Sequence, residues 1–479
     1  LATVCHNGVE WLATLAISPA EVCDAWHIRQ LSRGPTGAAA IRRGCLAMAE
    51  TIARMHEIGV IHCDLHCGNI LVQANSTAFQ LVLTDLHRMK RRRRLSRRAK
   101  AANLALLLHD RRDLTTRTER LRFLKHYLAC TGAAGTLCGW ITLISDFARR
   151  HTRRQHSQRD RRVVGLNRYF APLSLPGRWR GHVILASKWR PPGSVAAGIE
   201  FTVEQWREAL ANPQALLDGR DAQVVKSSDS GTVVRCRLVG GGHDLDVYVK
   251  RPRRKRRWKI ILDCFRTSRP LHAFRTGHEL LTRGIATAMP LAALERRFGP
   301  LLLDSILITE TVHGPHLNQF LQPRLARLAD PQLADLSEEQ QRKLAHDALT
   351  NLGHMVQRLH DNNFAHRDLK SVNILVHWQT SARPQAVLID LDGLWRLRKI
   401  SARRRFRGLM RLNVSLLACT SISHSGRLRM LLGYLRRPGC GKIRFKSYWR
   451  VLERWSAGKL RQQIRSRRKH QRVLGRNAP

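Results

Sequence analysis

One order of apolar and polar positions occurs twice along this chain. Leu352, Val356 and Leu359 fall on a single face of a helix, and Met48, Ile52 and Met55 do the same far upstream. Each helix runs into a loop. ARMHEIGVIHCDLHCGNILV (Ala53–Val72) aligns without a gap with QRLHDNNFAHRDLKSVNILV (Gln357–Val376). A short apolar strand ending in Asp follows in both places, LVLTDLHRM around Asp85 and AVLIDLDGL around Asp390. A basic stretch and a leucine-rich helix come next, at Asn103–Leu108 and at Leu428–Leu435. Chance can supply one shared motif but not an ordered series, so the pattern predicts an internal duplication. Upstream of the second copy, TVVRCRLVGGGHDLDVYVK (Thr232–Lys250) alternates like a strand hairpin. The most apolar long stretch, Leu128–Ala148, contains Gly and Thr residues and Asp146. It reads as a buried helix pair, because a membrane span needs about 20 apolar residues without a charge.

A chain of 479 residues exceeds one hydrophobic core. The expected division is a first domain at 1–150, a basic and then Pro/Gly-containing linker at 151–199, and a second domain at 200–479. Only 63 residues precede Asp64, and the chain begins with Leu, so the first copy reads as truncated and the sequence as a piece of a longer tandem protein.

Charge changes the picture most. There are 84 Lys and Arg against 35 Asp and Glu, a net charge of +49. Runs such as KRRRRLSRRAK (Lys90–Lys100), KRPRRKRRWK (Lys250–Lys259) and the stretch from Lys459 attract polyanions: nucleic acid, an anionic membrane surface or a phosphorylated glycolipid. Eleven scattered cysteines, an odd number, point away from a disulfide framework and toward a reducing compartment. LATVCHNGVEWLATLAI at the start lacks a signal-peptide pattern. A cytoplasmic protein, peripheral on a membrane surface, is expected.

HRDLKSVN (His366–Asn373) is the strongest chemical signal. Phosphoryl transfer needs a carboxylate to orient the attacking hydroxyl and accept its proton, together with oxygen ligands for Mg²⁺. Asp368 supplies the first, and Asn373, five residues later, part of the second. Asp390, closing an apolar strand, adds the hard anionic ligand that Mg²⁺ prefers, and Lys370 can neutralise transferring phosphate. HCDLHCGN (His62–Asn69) keeps Asp64 and Asn69, with Asp85 as the metal-type Asp and His66 in place of the Lys. His62, Cys63, His66 and Cys67 invite a zinc reading, but on such a loop their side chains diverge, and zinc needs four converging ligands. His62 and His366 read as supports of the loop backbone.

These loops resemble the catalytic and metal loops of protein kinases. Asp-Leu-Asp or Asp-Leu-His in place of Asp-Phe-Gly, an Arg-rich segment directly after it, and no Ala-Pro-Glu are similar to the lipopolysaccharide kinase (Kdo and core heptose kinase) family. The resemblance implies an α/β (α+β), protein-kinase-like bilobal fold, with the second copy complete (small lobe about 220–312, large lobe about 313–479) and the first a large lobe only. It implies ATP and Mg²⁺ as cofactors and a sugar hydroxyl of lipopolysaccharide or a related glycolipid as acceptor. Asp368 would be the catalytic base, Asn373 and Asp390 the metal ligands, and Lys250 the holder of the α and β phosphates. Ile306–Glu310 would enter the hinge that meets adenine, and Gly231 sits where the family has only a degenerate glycine loop. The family's usual helix Glu falls on Ala273, with Glu279 six residues later on the same predicted helix. Either Glu279 substitutes as the partner of Lys250 through a shifted helix, or Lys250 is unpaired. A protein Ser/Thr kinase and a nucleotide-binding pseudokinase scaffold are the alternatives. Nucleic acid is the disfavoured partner, because no motif reads it.

Overall fold

The computed structural model describes every residue except 1, 7–8, 14–15, 75–78, 111–114, 187–199, 220, 241–242, 254–265, 330–332, 380–382, 420, 437–444 and 477–479. Much of the basic run Lys250–Lys259 therefore lies outside the described residues. The chain forms two compact units, 1–155 and 156–479.

The second unit divides into a sheet-rich part and a helix-rich part, called here the small and the large lobe. Its small lobe is a seven-stranded sheet with the spatial order Gln223–Ser228, Gly231–Gly240, His243–Pro252, Leu301–Glu310, Pro290–Phe298, Trp179–Ile184, Phe170–Leu175. Every pairing in it is antiparallel. Alternation sets which face is buried: Val234, Cys236 and Leu238 point inward, as do Val247 and Val249 of the next strand. The helix Arg269–Thr282 presses Ala273, Phe274, Leu280 and Leu281 into the same core.

Two of these strands correct the expected linker at 151–199. Phe170, Ala171, Leu173 and Leu175 are buried, and Trp179, Val183 and Ile184 answer them across a tight loop in which Gly177 and Arg178 take positive φ. Proline and glycine there mark a hairpin rather than a spacer. Pro172 is tolerated because its strand lies at the sheet edge, where the missing N–H costs no ladder bond. Gly181 is required by contact: a Cβ there would lie 1.9 Å from the carbonyl oxygen of Ala293.

The large lobe is built on the helix Glu338–Asp361. It begins at a Ser337/Gln340 capping box and is followed by Asn363 in the left-handed region, φ 63°. Its buried face includes Leu349, Leu352, Val356 and Leu359. Two short strand pairs follow, Phe364–His366 with Leu394–Arg396 and, between them in the chain, the hairpin Ile374–His377 with Gln385–Leu388. Helices Ala402–Leu417, His424–Leu435 and Phe445–Arg476 follow.

In the first unit the same kinds of element come in the same order. Helix Gly34–Glu57 precedes strand Val60–His62, the hairpin Ile70–Ala74 with Phe79–Leu83, strand Met89–Arg91 paired back to Val60–His62, and helix Arg97–Asp110. Ile52 and Met55 are buried, and Gly59 holds the left-handed φ that Asn363 holds in the second unit. Leu128–Ala148 falls on two helices, Arg117–Thr131 and Leu137–Arg162, broken at Gly132 and packed through Tyr127, Trp140 and Ile144. No helix among the described residues is long and apolar enough to cross a membrane.

Helices Glu338–Asp361 and His424–Leu435 meet backbone to backbone. A Cβ on Gly353 would lie 2.2 Å from the carbonyl oxygen of Met430, and one on Gly433 2.5 Å from that of Thr350. Gly353→Ala therefore forces the pair apart and is expected to lower stability by about 1–3 kcal/mol, despite the helix propensity gained. Urea unfolding reads this; an unchanged midpoint would show that the helices do not approach so closely.

Candidate active site

The loop from His366 to Asn373 is held by a ring of short bonds. The backbone N–H of Asp368 donates to His366 Nδ1 at 3.0 Å, and His366 Nε2 donates to the carbonyl oxygen of Asp390 at 2.7 Å. One nitrogen accepts and the other donates, so the imidazole is neutral, and burial lowers its pKa from the ordinary histidine value. One ring thereby ties the loop of Asp368 to the loop of Asp390. The Asn373 amide nitrogen donates to the Asp368 carbonyl at 2.9 Å, which presents the amide oxygen as the group a cation would use. Ser371 N–H donates to Ser415 Oγ at 3.0 Å, and Ile389 N–H to the Asn373 carbonyl at 3.1 Å. Asp368 itself is half exposed, with Lys370 Nζ 2.7 Å from its carboxylate.

Lys250 arrives from the small lobe, on a strand that pairs Lys250 with Leu307. Its Nζ lies 3.0 Å from Asp390 Oδ1 and 3.0 Å from Asp392 Oδ2. Burial alone would lower the lysine pKa, but the charges of Asp392 and Asp390 outweigh it and hold it above the ordinary value. Burial likewise pushes Asp390 up, and the Lys250 ammonium overcomes this and holds it below the usual carboxylate range.

Both expectations for the helix acid are overturned. Lys250 is paired, and its partners are the two aspartates of the Asp-Leu-Asp turn. Glu279 points elsewhere, with its Oε2 3.3 Å from Arg396 Nη1. The same guanidinium reaches Asp160 at 2.6 Å, and Asp160 makes a two-pronged bond to Arg283 at 2.7 and 2.8 Å. Arg283 is 1% exposed in its side chain, so this cluster must stay paired. Burial and the nearby Asp160 raise the Glu279 pKa, opposed by Arg396 and Arg283. Ala273, at the family position, is buried in the small-lobe core. His272 Nε2 donates to the Leu394 carbonyl at 2.9 Å, a second tie between this helix and the strand after the metal-type loop.

Glu310 closes the strand expected to enter the hinge. Its side chain turns into the protein, where Oε1 accepts the Met289 N–H at 2.7 Å and Oε2 is buried without a partner among the described residues. Only the backbone around Glu310 remains to meet a base. Sequence reading passed over Asp392, although it stands in the quoted Asp-Leu-Asp, and over Asp160, Arg283 and Arg396. Asp392 had a visible signal. Asp160 lies in an Arg-rich helix far upstream and had none.

In the first unit, His62 repeats part of this arrangement. Asp64 N–H donates to His62 Nδ1 at 3.1 Å, and His62 Nε2 donates to the Thr84 carbonyl at 2.9 Å. Asn69 donates to the Asp64 carbonyl at 3.0 Å. Asp85 adopts φ 63° and meets His87 Nδ1 at 2.7 Å, where the second unit has Asp390 beside Asp392. Asp64 is exposed, with His66 Nε2 3.9 Å from its carboxylate.

The second unit therefore offers a carboxylate open to an acceptor, a hard oxygen pair for a cation, and a lysine reaching them from the other lobe. Comparison with known proteins adds a family to this geometry. The lipopolysaccharide kinase (Kdo/WaaP) family model matches residues 16–127 and 243–434, well over half of the chain. The chain belongs to that family. Membership implies an ATP-dependent kinase with a lipopolysaccharide core sugar as substrate. A solved structure described as WaaP in complex with acyl carrier protein is 19% identical, covering 52% of this chain and 92% of that one at a TM-score of 0.35. A comparison with curated proteins gave no match.

ATP and Mg²⁺ fit the residues present. Asp390 and Asp392 both turn a carboxylate oxygen to one point, 3.0 Å from the Lys250 ammonium. Among the described residues no group of three or more His, Cys, Asp or Glu is placed to hold a metal. Asp390 and the Asn373 amide oxygen are the hard oxygen donors that would hold Mg²⁺, an ion that takes one or two carboxylates and completes its shell with water and substrate phosphate.

Glu310 yields a pH prediction. Burial pushes its carboxyl up to about 7 from the model-peptide value of 4.5. The folded state then holds a proton that the unfolded state releases, so stability is full below pH 4.5 and falls as the pH rises toward 7. The loss amounts to about 3 kcal/mol. Glu310→Gln should remove this slope in denaturant titrations at pH 5 and pH 8; an equal slope in both proteins would mean that another group is responsible.

Proposed function

We propose that the second unit transfers the γ-phosphoryl group of ATP to a sugar hydroxyl of lipopolysaccharide or a related glycolipid, on the cytoplasmic face of the membrane. One observation carries this reading. Lys250, from the small lobe, reaches Asp390 at 3.0 Å, while Asp390 shares His366 with the loop of Asp368. These contacts support reading Lys250 as phosphate holder, Asp390 as metal ligand and Asp368 as base.

Asp368 orients the acceptor hydroxyl and takes its proton as the oxygen attacks. Asn373 and Asp390 would hold Mg²⁺, which supplies charge neutralisation on the phosphates when bound. Lys250 steadies the phosphate chain, and Lys370, beside Asp368, screens the transferring group. The backbone around Glu310 meets adenine. The first unit is an equivalent large lobe, with Asp64, Asn69 and Asp85 in the places of Asp368, Asn373 and Asp390; the shared histidine and asparagine bonds support that equivalence. Exposed Arg403, Arg404 and Arg407, with Lys446, Arg450 and Arg454 on the last helix, would dock the protein on an anionic membrane surface. Each such residue adds about 1 kcal/mol near the bilayer.

Two outcomes are expected. Labelled γ-phosphate from Mg-ATP should appear on lipopolysaccharide, and Asp368→Ala should reduce it about 10²–10⁴-fold without abolishing nucleotide binding. Label on a generic protein substrate alone would favour a protein kinase, and bound nucleotide with no transfer to any acceptor a pseudokinase. Sedimentation with anionic vesicles should weaken steeply between 50 and 500 mM salt, on the order of the loss that screening of several charges predicts. Equal binding to neutral vesicles would remove the electrostatic docking.

A further inference from the structure

The acid on the small-lobe helix is committed to another charge. Glu279 meets Arg396, and Arg396 and Arg283 are both bound to Asp160. Turning Glu279 toward Lys250 would give up its ion pair with Arg396, beside the buried Arg283–Asp160 pair. Ala273, at the position where the family's acid is expected, carries only a buried methyl group. The helix therefore has no acid to spare for Lys250.

Lys250 nevertheless has two partners, both on one turn. Asp390 Oδ1 and Asp392 Oδ2 each lie 3.0 Å from its Nζ, and the backbone N–H of Asp392 donates to Asp390 Oδ1 at 3.3 Å. One ammonium cannot keep both once a cation arrives. A hard dication takes a carboxylate, and Asp390 is the better placed. The residue before it bonds the Asn373 carbonyl at 3.1 Å, and its own carbonyl is held by His366. Lys250 then retains Asp392.

We propose that Asp392 is the resident counter-ion of Lys250, a positioning residue that does from the metal loop what a helix glutamate does elsewhere. The assignment rests on reading the site as an ATP site. Its consequence is that Lys250 is aligned only when the Asp-Leu-Asp turn is in place. The small-lobe helix contributes indirectly, through Arg396 and the strand that follows the turn.

A double-mutant cycle on the full chain tests this, read as affinity for a fluorescent ATP analogue with Mg²⁺. Asp392→Asn should weaken binding about tenfold in the wild-type background and by less than about twofold in Lys250→Met, because the two share one interaction. Asp392→Glu should recover part of the loss, which a merely structural role would not predict. Glu279→Gln should shift affinity by less than about twofold, and its effect should simply add to that of Lys250→Met. Thermal melts of each variant separate a folding defect from a lost ion pair. Coupling of Lys250 to Glu279, or an Asp392→Asn loss that is the same in both backgrounds, overturns the assignment and leaves the ATP reading standing. A wild-type chain that binds no Mg-nucleotide overturns the ATP reading itself, and the assignment with it.

Discussion

A guanidinium shut away from water must keep a carboxylate, and Arg283 keeps Asp160. Much of the site follows from that pair. Asp160 has capacity for a second cation and takes Arg396, which lies six residues after Asp390 on the strand closing the metal-type turn. Arg396 in turn draws Glu279 away from the cleft. The small-lobe helix, Asp160 and the strand after Asp390 are bonded together. The position of the turn relative to the small lobe is thereby set by these ion pairs.

Within that frame two devices divide the work. Neutral His366 holds the loops of Asp368 and Asp390 together through their backbone atoms, so neither carboxylate is spent on the histidine. A charged histidine there would lose its acceptor nitrogen and release Asp368. Lys250 spans from the other lobe and closes the cluster at two carboxylates. The first unit keeps the histidine device but puts His87 where the second has Asp392. The part shared by both units is the scaffold, and they differ in the charge arrangement at the acidic turn.

The loops were legible because their chemistry is local. Asp368 and Asn373 lie within one turn of chain, and Asp390 ends an apolar strand, so spacing alone brings the three into a pattern. Helix faces such as Leu352, Val356 and Leu359 were legible for the same reason, since a 3.6-residue period shows in a short window. The hairpin Phe170–Ile184 was readable in its alternation but hidden by Pro176 and Gly177, which a turn and a linker use alike.

The sequence by itself determined the family, and with it the kind of chemistry that membership implies, together with the local pattern of helix faces and loops. Only the tertiary structure decided the pairing of charges: Asp392 rather than Glu279 on Lys250, Asp160 on Arg283, and a buried Glu310 turned away from the hinge. In a chain with 84 basic residues every carboxylate has many possible partners, and local pattern does not rank them. Burial does. A charge taken out of water is costly unless a counter-charge is already at hand, and which two groups are shut away together depends on contacts between residues more than a hundred positions apart.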